Sequence, residues 1–200
     1  SINCQWLGRS ENTCSIANHL DVWETELKND SDRDFLLSGI REGFRITDPG
    51  VTVRQAEVRN HRSALQHSEA VETELRNQIK HGNYVMASEK PVIVSPLAAI
   101  PKDDSGNNVG LIHDGSRPFG SGMNDYVRLH SERFKTITDA CRIAKQGYWC
   151  AKLDLKAAYR SVPIHRDDYK VTGLKWHFKG DKYPTYLFDY RLPFGATLAP

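Results

Sequence analysis

Residues 148–159 constrain the fold more than any other part of this 200-residue sequence. They begin with a short apolar stretch, 148–153, which is typical of a β-strand, and Asp154 follows it directly. A turn with small residues then leads to Tyr159. A carboxylate at a strand end beside such a turn can hold a metal ion next to a phosphate group. The pattern therefore predicts a strand whose end carries chemistry.

Four residues of this segment have candidate roles, and two of them, Asp154 and Tyr159, also have a plain structural alternative. Asp154 is a candidate metal ligand, although an isolated aspartate at this place is more often a helix N-cap. The small side chains of Ala157 and Ala158 let their N–H groups approach phosphate oxygens closely. The ring of Tyr159 can exclude a 2′-hydroxyl from a sugar pocket, or it can be an ordinary core tyrosine.

Two further segments are candidates for nucleotide contact. In residues 192–200, a rigid proline precedes Phe194 and Gly195, and small residues follow, so a nucleobase pair can lie flat against the backbone. A simple turn has the same composition. Lys102 lies at the tip of a predicted hairpin, where a mobile charge can fold over a triphosphate. A solvated loop lysine is the alternative.

The composition is that of a globular protein. Hydrophobic residues make up 39% and charged residues 26%, enough for one domain or two small subdomains. The net charge of +2 gives no general signal for nucleic-acid binding. The longest apolar stretch, 92–101, is too short to span a bilayer, so we expect no membrane association. Without CxxC spacing or a signal peptide, we expect an intracellular protein, in the cytoplasm or nucleus, with reduced thiols.

The remaining patterns predict a mixed α+β fold. Residues 46–62 are charged and lack an apolar face, so we predict a linker there. The adjacent aspartates 103–104 and 167–168 do not follow buried strands, and we interpret them as turn or cap residues. Capping signals and apolar periodicity predict helices that begin near Ser31, Ser68 and Thr136. Turn residues between apolar runs predict hairpins around residues 103–108 and 180–181.

Taken in order, several segments resemble the fingers and palm of reverse transcriptases over roughly residues 85–200. Their sequence is most similar to that of retrotransposons that also encode a tyrosine recombinase, the DIRS-like group. Residues 154–159 resemble motif A of the family, and residues 192–200 resemble motif B. The other matching segments are residues 95–102, 111–118 and 124–125.

The resemblance implies an RNA-directed DNA polymerase, a nucleotidyltransferase that acts on deoxynucleoside triphosphates. Its implied partners are a primer and an RNA or DNA template, and its implied cofactor is Mg²⁺ or, in its place, Mn²⁺. The implied fold is the fingers and an incomplete palm of a right-hand polymerase. The chain then divides into an upstream helical region (1–84), a fingers-like part (85–147) and a partial palm (148–200).

The same resemblance implies a role for individual residues. Asp154 is the catalytic carboxylate and first metal ligand, and the carbonyl of Leu155 is a second metal contact. Tyr159 is the gate that selects the sugar. The remaining nucleotide contacts are Lys102, Ala157, Ala158, Phe194 and Gly195.

The sequence departs from the family pattern at two places, and these departures lead to two alternatives to an active polymerase. The fingers strand has Gly110 where an arginine is usual, and glycine cannot replace a bidentate phosphate clamp. The paired aspartates of the later catalytic motif do not occur before Pro200, so we expect part of a longer enzyme, inactive by itself. The first alternative is a non-catalytic nucleic-acid-binding module of the same fold. The second is an unrelated metal-dependent hydrolase that uses Asp154.

Overall fold

A computed structural model describes residues 15–127, 135–152, 154–155 and 157–196. The described chain has an α+β architecture. Its α-helices are α1 (Leu20–Glu26), α2 (Arg33–Glu42), α3 (Arg62–Gln66), α4 (Ser68–Lys80), α5 (Ile137–Ile143) and α6 (Ala158–Ser161). Its strands are β1 (Ala56–Glu57), β2 (Tyr84–Met86), β3 (Ile93–Val94), β4 (Leu97–Pro101), β5 (Val109–His113), β6 (Gly173–Trp176) and β7 (Thr185–Asp189). Short 3₁₀ helices span Ile16–His19, Met123–Tyr126 and Arg166–Val171.

The strands form a five-stranded sheet and a separate hairpin. The order in the larger sheet is β1-β3-β6-β7-β2, with β3 parallel to both β1 and β6, and β7 antiparallel to both β6 and β2. Strands β4 and β5 pair antiparallel, with Leu97 opposite His113. Both hairpins predicted from the sequence are confirmed. The larger sheet takes strands from all three predicted segments of the chain.

Helix α4 supplies one side of the main core, and its predicted boundaries are confirmed. Val71 and Leu75 lie one helical turn apart, and both are fully buried. They belong to a cluster that also contains Leu97, Leu174 and Leu187, from β4, β6 and β7. Spacing of apolar residues by four positions therefore identified this helix and its buried face correctly.

The prediction of a linker at residues 46–62 is wrong. Ile46, Thr47 and Ala56 are buried, and Ala56 belongs to β1, which pairs with β3. A strand of two residues is too short to show an alternating pattern, so no periodic signal marks it in the sequence. The buried backbone at Ile46 and Thr47 is satisfied by a carboxylate from a distant part of the chain, Asp168.

The strand predicted at 148–153 is absent from the residues described there, which are 148–152. All five are exposed, and the side chain of Trp149 is completely accessible. A strand needs a hydrogen-bonding neighbour, and no described strand pairs with this segment. The preceding helix α5 is confirmed, with a capping box between Thr136 and Asp139, but it buries none of its residues.

Candidate functional site

The structure brings Tyr159 and Phe194 into contact. Their ring centroids are 5.7 Å apart and the planes are inclined by 53°. Tyr159 is half-buried, whereas 54% of Phe194 is exposed. Two of the side chains predicted to bind nucleotide thus share one surface, and Gly195 follows Phe194 directly in the chain. The two aromatic rings therefore form a wall next to Gly195, where the backbone carries no side chain.

Hydrogen bonds and a glycine fix the turn at Phe194 and Gly195. The N–H of His113 donates to the carbonyl of Phe194 at 3.1 Å, and the Asn124 amide donates to the carbonyl of Gly195 at 3.0 Å. Gly195 has φ +121°, and a Cβ there would lie 2.3 Å from the carbonyl oxygen of His113. Glycine is required here because any side chain would collide with the end of β5.

The chain reaches Tyr159 through a single turn of helix. Ala157 precedes α6 in the left-handed conformation, with φ 54° and ψ 43°, and Ala158 is the first helical residue. Beyond α6, the N–H of Leu192 donates to the carbonyl of Val162, which joins this segment to the turn at Phe194. One helical turn aligns few peptide dipoles, so α6 is a weak anion site. Phosphate contact by the two alanines stays a prediction.

The structure gives no contact of the remaining predicted site residues with Tyr159 or Phe194 within the part of the chain that it describes. Asp154, Leu155 and Lys102 are exposed. Within the described residues, no group of three His, Cys, Asp or Glu side chains is placed to hold a metal ion. Lys102 lies on the β4–β5 hairpin near Gly110, where a Cβ added to the glycine would be 3.4 Å from the Cε of the lysine. The roles of Asp154, Leu155 and Lys102 stay predictions.

The sequence did not reveal a buried ion pair that involves Arg160, the residue after Tyr159. Asp189 is completely buried, and Arg160 donates to its carboxylate at 2.7 Å. The backbone N–H of Arg191 donates to the other oxygen at 3.0 Å, and Nδ1 of His113 lies 3.9 Å away. Burial is the largest single influence and would raise the pKa of Asp189, but the charge and hydrogen bond of Arg160, together with the nearby His113, outweigh it and lower that pKa.

This ion pair holds α6 against β7. Arg160 follows Tyr159 directly and lies over the ring of Tyr84 at 5.1 Å. The two partners are 29 positions apart in the chain, and nothing in their local sequence marks either as buried. No spacing or turn signal predicts such a pair, because only the folded topology brings it together. Arg160 and Asp189 therefore position the backbone that carries Tyr159.

A second buried carboxylate, Asp168, corrects the prediction of a turn or cap residue. It accepts two hydrogen bonds from Arg45, both at 3.0 Å, and one from the hydroxyl of Thr47 at 2.7 Å. The backbone N–H groups of Ile46 and Thr47 donate to it at 2.7 and 3.3 Å. Burial opposes ionisation, but Arg45 and these donors together lower the pKa of Asp168.

These two carboxylates predict how stability depends on pH. Because the folded pKa of Asp168 and of Asp189 lies below the ordinary value of 3.8, their stabilisation is complete above about pH 5 and is lost as pH falls through the folded pKa. Urea midpoints measured between pH 7 and pH 3 should fall in the acid range. The Asp168→Asn variant should start lower and fall less steeply, whereas an unchanged acid slope would contradict this assignment.

No protein-family model matches the chain, and no curated protein matches it significantly. Among the described residues, no helix is both long enough and apolar enough to cross a membrane. Because neither comparison found a match, the resemblance to reverse transcriptases depends on the sequence motifs alone.

Proposed function

We propose that this chain is the fingers and part of the palm of an RNA-directed DNA polymerase from a retroelement. The observation that supports the proposal best is the contact between Tyr159 and Phe194 next to Gly195. The motif resemblance assigns these residues to the sugar gate and the base-pair platform, and they are distant in sequence. A chance resemblance would give no reason for them to meet.

In this proposal, each part of the surface has one task. The half-buried ring of Tyr159 lies against the sugar of the incoming nucleotide and leaves no room for a 2′-hydroxyl. The side-chain-free backbone at Gly195 lies under the nascent base pair, and Phe194 supports the ring of Tyr159 from the side. The buried pair of Arg160 and Asp189 keeps α6 in register with β7. Discrimination between the two sugars then depends on how firmly the Arg160–Asp189 ion pair holds the ring of Tyr159 in place.

The implied Mg²⁺ or Mn²⁺ does not fit the described residues by themselves. Asp154 offers oxygen ligands of the right kind, but it is exposed, and the described residues contain no group of three His, Cys, Asp or Glu side chains placed to hold a metal ion. A single exposed carboxylate binds Mg²⁺ weakly, because the ion keeps most of its waters. Two-metal phosphoryl transfer requires further carboxylates. We therefore expect the 200-residue chain to be catalytically silent.

Restoring the missing arginine provides a prediction about the fingers. Gly110 lies on β5 in a conformation that does not require glycine, and a Cβ would meet only Lys102 and the carbonyl of Ile100, at 3.4 and 3.8 Å. In a complete polymerase that contains this chain, Gly110→Arg should lower the KM for nucleotide about tenfold, because a hydrogen bond to a charged group contributes about 1.5–3 kcal/mol.

The matched control is Gly110→Gln, which adds a shorter polar side chain without the charge. We expect its KM to stay close to that of the parent enzyme. An equal effect of both substitutions would contradict a phosphate contact at this position, and so would no effect of either.

The second candidate function is a non-catalytic nucleic-acid-binding module of the same fold. Gly110 favours it, since the glycine removes a phosphate clamp that the family uses. The two candidates agree on primer–template binding and differ in whether a complete form of the protein extends a primer. The metal-dependent hydrolase differs from both, because it predicts no affinity for primer–template.

Filter binding with the purified chain tests the proposal. We expect retention of a labelled primer–template at low salt, with affinity falling as salt rises, and no incorporation of deoxynucleotide. Asp154→Asn should bind equally well. A folded chain that retains no primer–template would contradict the proposal. Template-dependent incorporation that Asp154→Asn abolishes would contradict the expected inactivity of the isolated chain.

A further inference from the structure

An exposed aromatic ring and an arginine are stacked on the loop that follows β5. The guanidinium of Arg117 lies over the ring of Phe119, 3.8 Å from its centroid. Arg117 is exposed, and 74% of Phe119 is accessible to solvent. A phenylalanine this accessible buries little of its apolar surface in the fold, so the pair is poorly explained by folding stability.

Arg117 also differs from the buried arginines in its charge partners. Across the described residues, its side chain forms no ion pair with a carboxylate, whereas Arg45 and Arg160 both pair with buried aspartates. A guanidinium of this kind remains available for a phosphate oxygen. The pair thus combines an apolar face with an available positive charge.

The loop that carries the pair is held in one shape by its own backbone. The N–H of Asn124 donates to the carbonyl of Gly115 at 2.9 Å, and the N–H of Ser121 donates to the carbonyl of Pro118 at 3.1 Å. A Cβ on Gly122 would lie 2.7 Å from the carbonyl oxygen of Gly115 and 2.9 Å from the backbone nitrogen of Arg117. The close packing restricts the backbone of the loop, so ordering of the backbone costs less when a ligand binds to Arg117 and Phe119.

Asn124 connects this loop to the candidate nucleotide site. Its side-chain amide donates to the hydroxyl of Ser116 at 3.0 Å and to the carbonyl of Gly195 at 3.0 Å. One side chain therefore joins the loop of Phe119 to the turn of Phe194, whose ring is also exposed. The accessible rings of Phe119 and Phe194 are therefore carried by two segments that Asn124 links.

We propose that Arg117 and Phe119 form a stacking platform for a base of single-stranded nucleic acid. The inference rests on the proposed polymerase function and adds a contact outside the nucleotide pocket. A base stacks on the planar pair, and the guanidinium of Arg117 binds the adjoining phosphate. Every base has a π-face, so the platform does not select a sequence. It holds the unpaired strand next to the turn at Gly195.

Fluorescence anisotropy with the 200-residue chain tests the platform. The probes are a primer–template with a single-stranded overhang and the same duplex with blunt ends. Phe119→Ala should raise the dissociation constant for the overhang probe about tenfold and leave the blunt duplex unchanged. Arg117→Gln should reduce the slope of log affinity against log salt by about one.

The matched control is a second exposed cation–aromatic pair in the same chain. Lys182 lies 5.2 Å from the ring centroid of Tyr183, which is 67% exposed on the β6–β7 turn. Tyr183→Ala removes an accessible ring of the same kind, and we expect it to bind both probes like the parent. An equal loss in both variants would contradict a specific platform at Phe119.

The remaining outcomes separate this inference from the proposed function. A parent chain that binds neither probe contradicts both. A parent that binds the overhang probe while Phe119→Ala binds it equally well contradicts the platform alone. If Phe119→Ala changes only self-association in sedimentation, the ring is a contact between copies and the inference is wrong. Because the ring is exposed, an unchanged urea midpoint should show that the variant folds.

Discussion

Asp168→Ala is expected to lower the free energy of unfolding by about 3–5 kcal/mol, because each buried hydrogen-bond donor that loses its acceptor costs about 1–3 kcal/mol. The carboxylate has no accessible surface and accepts hydrogen bonds from Arg45, Ile46 and Thr47. Its loss removes the acceptor of two backbone N–H groups and of the Thr47 hydroxyl, and it leaves Arg45 with only the longer contact to Asp167. Urea unfolding at pH 7, followed by circular dichroism, measures the change.

The neighbouring Asp167 provides the control for this variant. Its side chain is 58% exposed and approaches Arg45 only at 3.7 Å, so Asp167→Ala should cost less than about 1 kcal/mol. Both variants remove one negative charge from the same 3₁₀ helix. Similar losses for the two substitutions would show that overall charge, rather than the buried network, supports this region.

Asp189→Ala is expected to have an effect of similar size, about 3–5 kcal/mol, because it leaves the largely buried Arg160 without its counter-ion. The second substitution Arg160→Leu removes that uncompensated charge. The double variant should therefore recover part of the lost stability. If the two single losses add fully in the double variant, the ion pair does not couple these residues and the interpretation is wrong.

Exposed Asp181 is the control here, because it lies on the turn between β6 and β7 and Asp181→Ala removes no buried group. We expect a change within about 0.5 kcal/mol. The Asp189→Ala variant should also loosen the contact between Tyr159 and Phe194, since Arg160 anchors α6. Aromatic side-chain NMR shifts of Phe194 report that contact independently of stability.

Local features of the fold were predictable from the sequence, and long-range ones were not. The spacing of Val71 and Leu75 identified α4, and turn residues identified both hairpins, because these signals act over a few positions. Asp168 and Ile46 are 122 positions apart, and no periodicity links them. Ile46 and Thr47, at the start of the predicted linker, can be buried because this distant carboxylate satisfies their backbone.

The strand predicted before Asp154 shows the opposite error. Apolar composition favours a strand at 148–153. A strand exists only where a neighbour supplies hydrogen bonds, however, and sequence composition carries no information about that neighbour. The ring of Trp149, which a strand in the core would have buried, is exposed instead. Strand pairing is a property of topology, so this error has a physical cause.

The candidate site was predicted in part. Motif resemblance named Tyr159, Phe194 and Gly195, and the rings of Tyr159 and Phe194 do meet. It gave no indication of Arg160 and Asp189 behind them, because a buried ion pair has no local pattern. Arg117 and Phe119 had a weak signal, a cation two positions from an aromatic residue in a glycine-rich loop, which is common in turns that bind nothing.

Sugar selectivity tests the central claim most directly, since it depends on Tyr159 acting as the wall of a nucleotide pocket. In a complete polymerase that contains this chain, the ratio of kcat/KM for deoxynucleotide to that for ribonucleotide is measured before and after Tyr159→Ala. The steric clash with a 2′-hydroxyl is worth about 1–3 kcal/mol, so the ratio should fall about tenfold or more. An unchanged ratio in a variant that still extends primers would show that Tyr159 is a core residue and would contradict the proposed function of this surface.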